Sequence, residues 1–257
     1  MRQTRILMGM PITVEIAGRD AAANDDDAAQ EAAIGRVFDY FTHIDEKFST
    51  YKDTSEITAI NKGTLAPDDR SEEMRLVFTL AEETKKATGG YFDIRKPDGS
   101  YDPSGLVKGW AIWNAAHLLE KEGYRNFYVD AGGDIQPYGT NSDGKPWVVG
   151  IKNPWNESEN VKVVHLGSHE GVATSGTYIR GEHIYDPHTG GPANLIASLT
   201  VIGPNVYEAD RFATAAFAMG KDGIRFIESL PGFEGYMIDN DKMATMTTGF
   251  QKYELHR

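Results

Sequence analysis

Asp210 and Thr214 stand four residues apart in the run Glu208-Ala-Asp-Arg-Phe-Ala-Thr-Ala-Ala-Phe-Ala-Met-Gly220. A helix puts both on one face. The rest of that run is Ala, Phe and Met, which should be buried, and a buried carboxylate is costly unless a cation or hydrogen bonds compensate it. A hard metal ion with oxygen ligands would satisfy the Asp210 carboxylate and the Thr214 hydroxyl together. The plainer alternative has Asp210 cap the helix and Thr214 bond back to its own turn. In Asp102-Pro-Ser-Gly-Leu-Val-Lys-Gly109 a Pro-Ser-Gly turn opens a helix. Free N–H groups there suit a phosphate, and Lys108 adds a cation; an ordinary cap with a surface lysine has the same residues.

Three further clusters carry possible chemistry. Asp130-Ala-Gly-Gly-Asp134 follows the apolar Phe127-Tyr-Val129; its two glycines allow close approach of a ligand or strand, or simply make a tight turn. Thr174-Ser-Gly-Thr-Tyr178 precedes His183-Ile-Tyr-Asp-Pro-His-Thr-Gly190. His183, Asp186 and His188 offer three metal ligands, although Pro187 breaks the strand and Asp-Pro-His-Thr-Gly also reads as a turn. His183 alone as a general base fits better, because a neutral imidazole accepts a hydroxyl proton near neutral pH. Phe48-Ser-Thr-Tyr51 with Ser55-Glu56 and Asn61, and Gly89-Gly-Tyr-Phe-Asp93, set aromatics beside Gly and Asp. Such rings sandwich a planar ligand or plug a helix end.

Periodicity supplies the elements that must position these residues. Alternation predicts a strand over Ile12 to Ala17. Ala33, Val37, Tyr40, Phe41, Ile44 and Phe48 recur at helical spacing, giving a helix from about Ala28 to Phe48 capped from the Asp-rich segment before it. Further helices are predicted over Ser71 to Ala87, ended by Thr88-Gly89-Gly90, and over Gly105 to Glu122. Between Arg125 and Ala197 short β-like runs alternate with Gly, Pro and Asn: Phe127 to Val129, Trp147 to Ile151, Val161 to Leu166, Tyr178-Ile179 and His183 to Tyr185. Leu195 to Ile202 reads as a strand, Val206 to Met219 and Gly223 to Leu230 as helices, and Tyr236 to Tyr253 as a closing hairpin. Helices and strands come in blocks, so the class is α+β, with mixed or antiparallel sheets and packed helices. The 257 residues make one large domain or two small, intimately packed lobes; the weakest seam in the pattern is Asp98 to Pro103.

Composition removes several classes. Asp and Glu number 38 against 26 Lys and Arg, a net charge of −12, which argues against sequence-independent binding to nucleic acid or an anionic membrane. With no cysteine, disulfides, thiolate metal sites and a cysteine nucleophile are out. No apolar run approaches the roughly 18 residues of a membrane span, and Met1 to Met8 has no signal-like apolar core, so a cytoplasmic protein without a membrane anchor is expected. The P-loop, G-x-G-x-x-G, H-E-x-x-H and G-x-S-x-G signatures are all missing.

Taken in order, the clusters resemble one family. Met8-Gly9, Phe48-Ser-Thr-Tyr51, Ser55-Glu56-Ile57, Asn61, Thr88-Gly-Gly-Tyr-Phe-Asp93, Asp102 to Gly109, Ala131-Gly-Gly-Asp-Ile135, Thr174-Ser-Gly, Tyr178, His183-Ile-Tyr-Asp-Pro, Thr189-Gly190 and Asp210 to Thr214 are similar to the ApbE-type FAD:protein FMN transferases. The resemblance covers nearly the whole chain. It implies a single domain over 1–257, with FAD as substrate and Mg²⁺ as cofactor. FMN would pass to a Ser or Thr hydroxyl on a segment of an acceptor flavoprotein, with release of AMP. It further implies Asp210 and Thr214 as side-chain metal ligands, with the carbonyls of Gly105 and Ala213 completing the protein's share. Met8, Tyr51, Tyr91, Phe92 and Asp93 would contact the flavin, Asp102 and Lys108 other parts of FAD, and the backbone at His183 and Ile184 the same pocket. His183 and Asp210 are the expected catalytic residues. Three alternatives stay open: a Mg²⁺-dependent FAD pyrophosphatase, a flavin-binding protein without catalysis, and a metal hydrolase built on His183, Asp186 and His188.

Overall fold

The computed structural model describes residues 1–17, 26–177 and 184–255, apart from the side chain of Glu157. Its frame is an eight-stranded antiparallel sheet. The strands are β1 (Arg2–Leu7), β2 (Met10–Ile16), β3 (Phe127–Ala131), β4 (Asp134–Tyr138), β7 (Gly171–Gly176), β8 (Ile196–Gly203), β9 (Glu234–Asp239) and β10 (Ala244–Met246), paired in that order. Strands β5 (Trp147–Asn153) and β6 (Asn156–Leu166) form a separate hairpin. Among the described residues the α-helices are α1 (Asp27–Phe48), α2 (Glu56–Asn61), α3 (Glu72–Ala87), α4 (Ser104–Lys121), α5 (Val206–Ala218) and α6 (Gly223–Ser229).

Strand alternation decides what each face of the sheet meets. Ile12, Val14 and Ile16 of β2 and Phe127, Val129 and Ala131 of β3 pack with α1 and α4 in one core cluster. Ala173, Leu199, Val201 and Met237 pack with α5 and α6 in a second. The neighbours of opposite parity, Val172, Ile202, Tyr236 and Ile238, turn away from the helices onto Ile151, Val164 and Leu166 of the β5–β6 hairpin. Every residue of β8 is therefore buried, as expected for a strand covered on both faces. The two halves of the sheet join at β4 and β7, where a single pair, Ile135 with Val172, is in register. Helices α4 and α5 pack together across that junction.

The antiparallel, helix-backed sheet is the α+β arrangement expected, and most helices lie where periodicity puts them. Asp26 caps α1 by accepting from the Ala29 N–H at 2.7 Å. Ser71 caps α3 through the Met74 N–H, and Gly89 and Gly90 leave α3 with positive φ. Several expectations need correction. The closing hairpin ends at Met246, and Phe250–Tyr253 is a 3₁₀ turn that plugs the third core cluster with two rings. The turn-rich stretch 98–103 is folded back by an Arg95–Tyr101 bridge. Tyr185 belongs to an isolated bridge with Pro192, not to an extended strand. Strands β1, β4 and β7 and the short α2 were not foreseen. The predicted strand at Tyr178-Ile179 and the residue His183 lie outside the described residues. Among the described residues, no helix is long and apolar enough to cross a membrane.

Candidate active site

The site is built where α4 and α5 touch. Two glycines four apart on α4, Gly105 and Gly109, face two polar residues four apart on α5, Thr214 and Asp210. A Cβ added at Gly109 would lie 2.6 Å from the Asp210 Cβ and 2.9 Å from the Val206 carbonyl oxygen; one at Gly105 would lie 3.0 Å from the Thr214 methyl. The absence of side chains on α4 is what lets the α5 carboxylate reach its backbone. Asp210 Oδ2 accepts from the Gly109 N–H at 2.8 Å, and Thr214 Oγ1 donates to the Gly105 carbonyl at 3.3 Å. Gly109→Ala is expected to destabilise the fold by about 1–3 kcal/mol, the usual cost of overpacking, and to displace Asp210. Urea denaturation checks this, and an unchanged midpoint would show that α5 yields freely.

Asp210 is only 2 % exposed. Burial pushes its carboxyl up from the ordinary range, the Lys108 ammonium pulls it back down, and the Asp134 carboxylate raises it again. Lys108 Nζ lies 3.4 Å from Asp210 Oδ1 and 2.5 Å from Asp134 Oδ2. Asp134, 1 % exposed, accepts from the Thr174 N–H through Oδ1 at 3.0 Å. Its Oδ2 meets Lys108 as an ion pair without an aligned hydrogen bond. Two buried carboxylates thus share one ammonium, an arrangement short of positive charge.

This centre opens into a cleft of about 1280 Å³. Lys108, Gly105, Asp210 and Thr214 line it, as do Tyr51, Tyr91, Phe92, Asp93, Asp102 and Ile184. Tyr51 is 96 % exposed and leaves a free ring at the mouth. Tyr91 packs edge-on against His188 at 4.4 Å between ring centres. Asp93 pairs with Lys85 at 2.6 Å, and Tyr185 donates to the Asp93 and Arg95 carbonyls, so the 91–95 turn is held from two sides. Asp102 accepts from the Ser104 N–H at the start of α4.

The structure therefore gathers ten of the residues singled out from the sequence. Met8 is not among the lining residues; it is half-buried against the first core cluster at φ 53°, and its neighbours Gly9 and Met10 line the cleft instead. Ala213 is fully buried in the second core cluster and lies off the lining. His183 lies outside the described residues. Asp186 spends both oxygens on its own turn, accepting from the His188 N–H and the Thr189 hydroxyl, so the turn alternative describes it. Among the described residues, no group of three or more His, Cys, Asp or Glu is placed to hold a metal. Sequence reasoning treated Asp134 as part of a glycine turn and passed over Gly109. An acid following Gly-Gly at the edge of an apolar strand was the available signal, since burial there demands a cation.

The donors that converge at the α4–α5 contact are all oxygen: one carboxylate, one hydroxyl and one carbonyl. That set fits Mg²⁺, which takes few protein ligands and keeps several waters, and the local excess of negative charge favours a cation.

Comparison with known proteins gives the family and the fold. The chain matches the ApbE family over residues 8–98 and 95–237, and it belongs to that family. It is 35 % identical over 162 residues to the FAD:protein FMN transferase of Escherichia coli K12, a stretch covering 59 % of this chain and 46 % of that protein. The corresponding protein of Klebsiella pneumoniae is 34 % identical over 152 residues, 55 % of this chain and 43 % of that one. The matched stretch thus spans about half the length of these curated relatives. The fold superposes on the flavin transferase ApbE of Vibrio cholerae with a TM-score of 0.83 at 22 % identity, covering 98 % of each chain. It superposes equally well on the ApbE protein of Thermotoga maritima, TM-score 0.83 at 22 % identity, covering 100 % of this chain and 99 % of that one.

Proposed function

We propose that this chain, acting as a single domain, transfers FMN from FAD to a Ser or Thr hydroxyl of an acceptor flavoprotein and releases AMP. The observation that carries this reading is the cleft lined by the rings of Tyr51 and Tyr91 that leads to an oxygen-rich, net negative centre at Asp210, Thr214 and Gly105. The P–O bond between the FMN phosphoryl and AMP breaks, the acceptor oxygen bonds to the FMN phosphorus, and the acceptor proton goes to a base, for which His183 is the candidate. Such transfers are governed by positioning and charge neutralisation.

Mg²⁺ held by Asp210, Thr214 and the Gly105 carbonyl, with the Ala213 carbonyl as the remaining proposed ligand, would supply Lewis-acid neutralisation of the diphosphate. The chain's own groups do the rest. Tyr51, Tyr91 and Phe92 offer ring faces and edges to the flavin, with Met8 at the adjoining β1–β2 turn. Asp93, Asp102 and the backbone at Ile184 fix its orientation, and the Lys108 ammonium faces the diphosphate while holding Asp134 and Asp210 in place.

The reading is tested by incubating the protein with FAD and Mg²⁺, with and without a flavoprotein domain that carries FMN on threonine, purified free of flavin. Intact mass and AMP are the readouts. One FMN gained by the domain, dependent on Mg²⁺, is expected. AMP and free FMN without modification would instead establish a pyrophosphatase, and bound FAD with no product a binding protein. Thr214→Val should leave the fold intact, because among the described residues the hydroxyl makes one long bond, to Gly105, and should raise the Mg²⁺ concentration for half-maximal activity about tenfold. An unshifted Mg²⁺ titration removes Thr214 from the metal's ligands.

A further inference from the structure

The cleft exceeds the usual size of a small-molecule site. Sites for small molecules run to about 300–1,000 Å³, against about 1280 Å³ here. Its lining falls into two sets. One is the set proposed above for FAD. The other comes from elements to which the reading above assigns no part of FAD: the outer face of β1–β3 and the strand β5.

On β3, Phe127, Val129 and Ala131 face the helices, so Tyr128 points to the opposite side. There it lines the cleft with Arg2 and Glu15, which pair at 3.9 Å. The wall of this arm is β5. Trp147 joins wall to floor, its ring 5.0 Å from that of Tyr128, and Val148 and Gly150 also line the cleft.

The register of the hairpin fixes where the β5 backbone points. The Val163 carbonyl of β6 accepts from the Leu255 N–H, away from β5. Gly150 is the partner of Val163, so this is a non-hydrogen-bonded antiparallel pair, in which both residues turn their N–H and C=O groups outward. Two residues back, Val148 with His165 is a pair of the same kind. Val148 and Gly150 thus present backbone donors and acceptors to the free side of β5, where the described residues place no further strand. Val148 is 53 % exposed beside them. An open strand edge bordering a cleft is the usual template for an added strand.

We propose that this edge receives the acceptor: an extended segment of the flavoprotein adds to β5 along Val148 and Gly150, over the floor of Arg2, Glu15 and Tyr128, and so feeds its hydroxyl residue toward Lys108 and Asp210. This rests on the transferase reading. A folded acceptor surface cannot reach a phosphorus at the bottom of a cleft, whereas a single extended strand can. The same cavity is continuous from the β5 edge to Asp210.

Amide hydrogen exchange on the full chain tests the placement directly, with the flavin-free acceptor domain described above as probe. Added acceptor should protect the Val148 and Gly150 amides, and FAD with Mg²⁺ alone should not. Val148→Pro removes one outward N–H while sparing the bonds to β6. It should raise the acceptor KM about tenfold, in keeping with one lost main-chain bond, with FAD affinity, read by flavin fluorescence, unchanged. Protection by FAD alone would give this arm to the nucleotide and overturn the proposal. So would wild-type transfer with no protection at these amides, or an unchanged KM in a folded Val148→Pro. A wild-type chain that modifies no acceptor while turning over FAD would overturn the transferase reading instead, and the occupant assigned here with it.

Discussion

Lys108→Met is expected to cost about 3–5 kcal/mol of folding stability, the range found when one partner of a buried ion pair is removed. The ammonium lies within 4 Å of both Asp134 and Asp210, and both acids are almost wholly buried. Methionine keeps most of the side-chain volume, so the loss would be electrostatic and not a cavity effect. Urea denaturation measures it. Asp134→Asn in the same chain should recover a large part of the loss, because asparagine still accepts from the Thr174 N–H while removing one charge. A deficit below about 1 kcal/mol in Lys108→Met would mean that water reaches the carboxylates and that the site is wetter than its burial implies.

Asp210→Asn should reduce Mg²⁺-dependent AMP release by about a thousandfold or more, since a metal's charge stabilisation amounts to several kcal/mol and each 1.36 kcal/mol is a factor of ten. The fold should survive, because the asparagine oxygen can still accept from the Gly109 N–H. Asp210→Ala leaves that buried N–H without its partner, at a cost of about 1–3 kcal/mol, so the two variants separate the metal role from the structural one. Mg²⁺ should raise the melting temperature of the wild type and leave that of Asp210→Asn unmoved. If Asp210→Asn turns over FAD normally, Asp210 is a helix-packing acid and the metal centre lies elsewhere.

The longer helices were legible because their apolar residues keep a 3.6-residue period and carry local signals at their ends: Asp26 and Ser71 at starts, Thr88-Gly89-Gly90 at an end; the six-residue α2 is too short to show that period. The strands were less so. β1 is a polar edge strand, β4 contains Gln136 and Pro137, and β7 is Gly-Val-Ala-Thr-Ser-Gly; none shows apolar alternation, because each is specified by the strands beside it. Part of the site was legible for a related reason. An aspartate and a threonine inside an Ala-Phe-Met helix are anomalous wherever that helix packs, so Asp210 and Thr214 declare themselves.

Sequence by itself determined the α+β class, the main helices, the family resemblance and the presence of a buried carboxylate in search of a cation. What the cation was, and what brought the acid close enough to use one, belonged to the tertiary structure. The Gly109 N–H and Asp210 are 101 residues apart, and Thr174 reaches Asp134 across 40. Local pattern encodes which face of an element turns inward. It carries no information on which lysine meets which aspartate once two inward faces are pressed together, and here that was decided by two bare glycine positions on α4 that let α5 come into contact with its backbone.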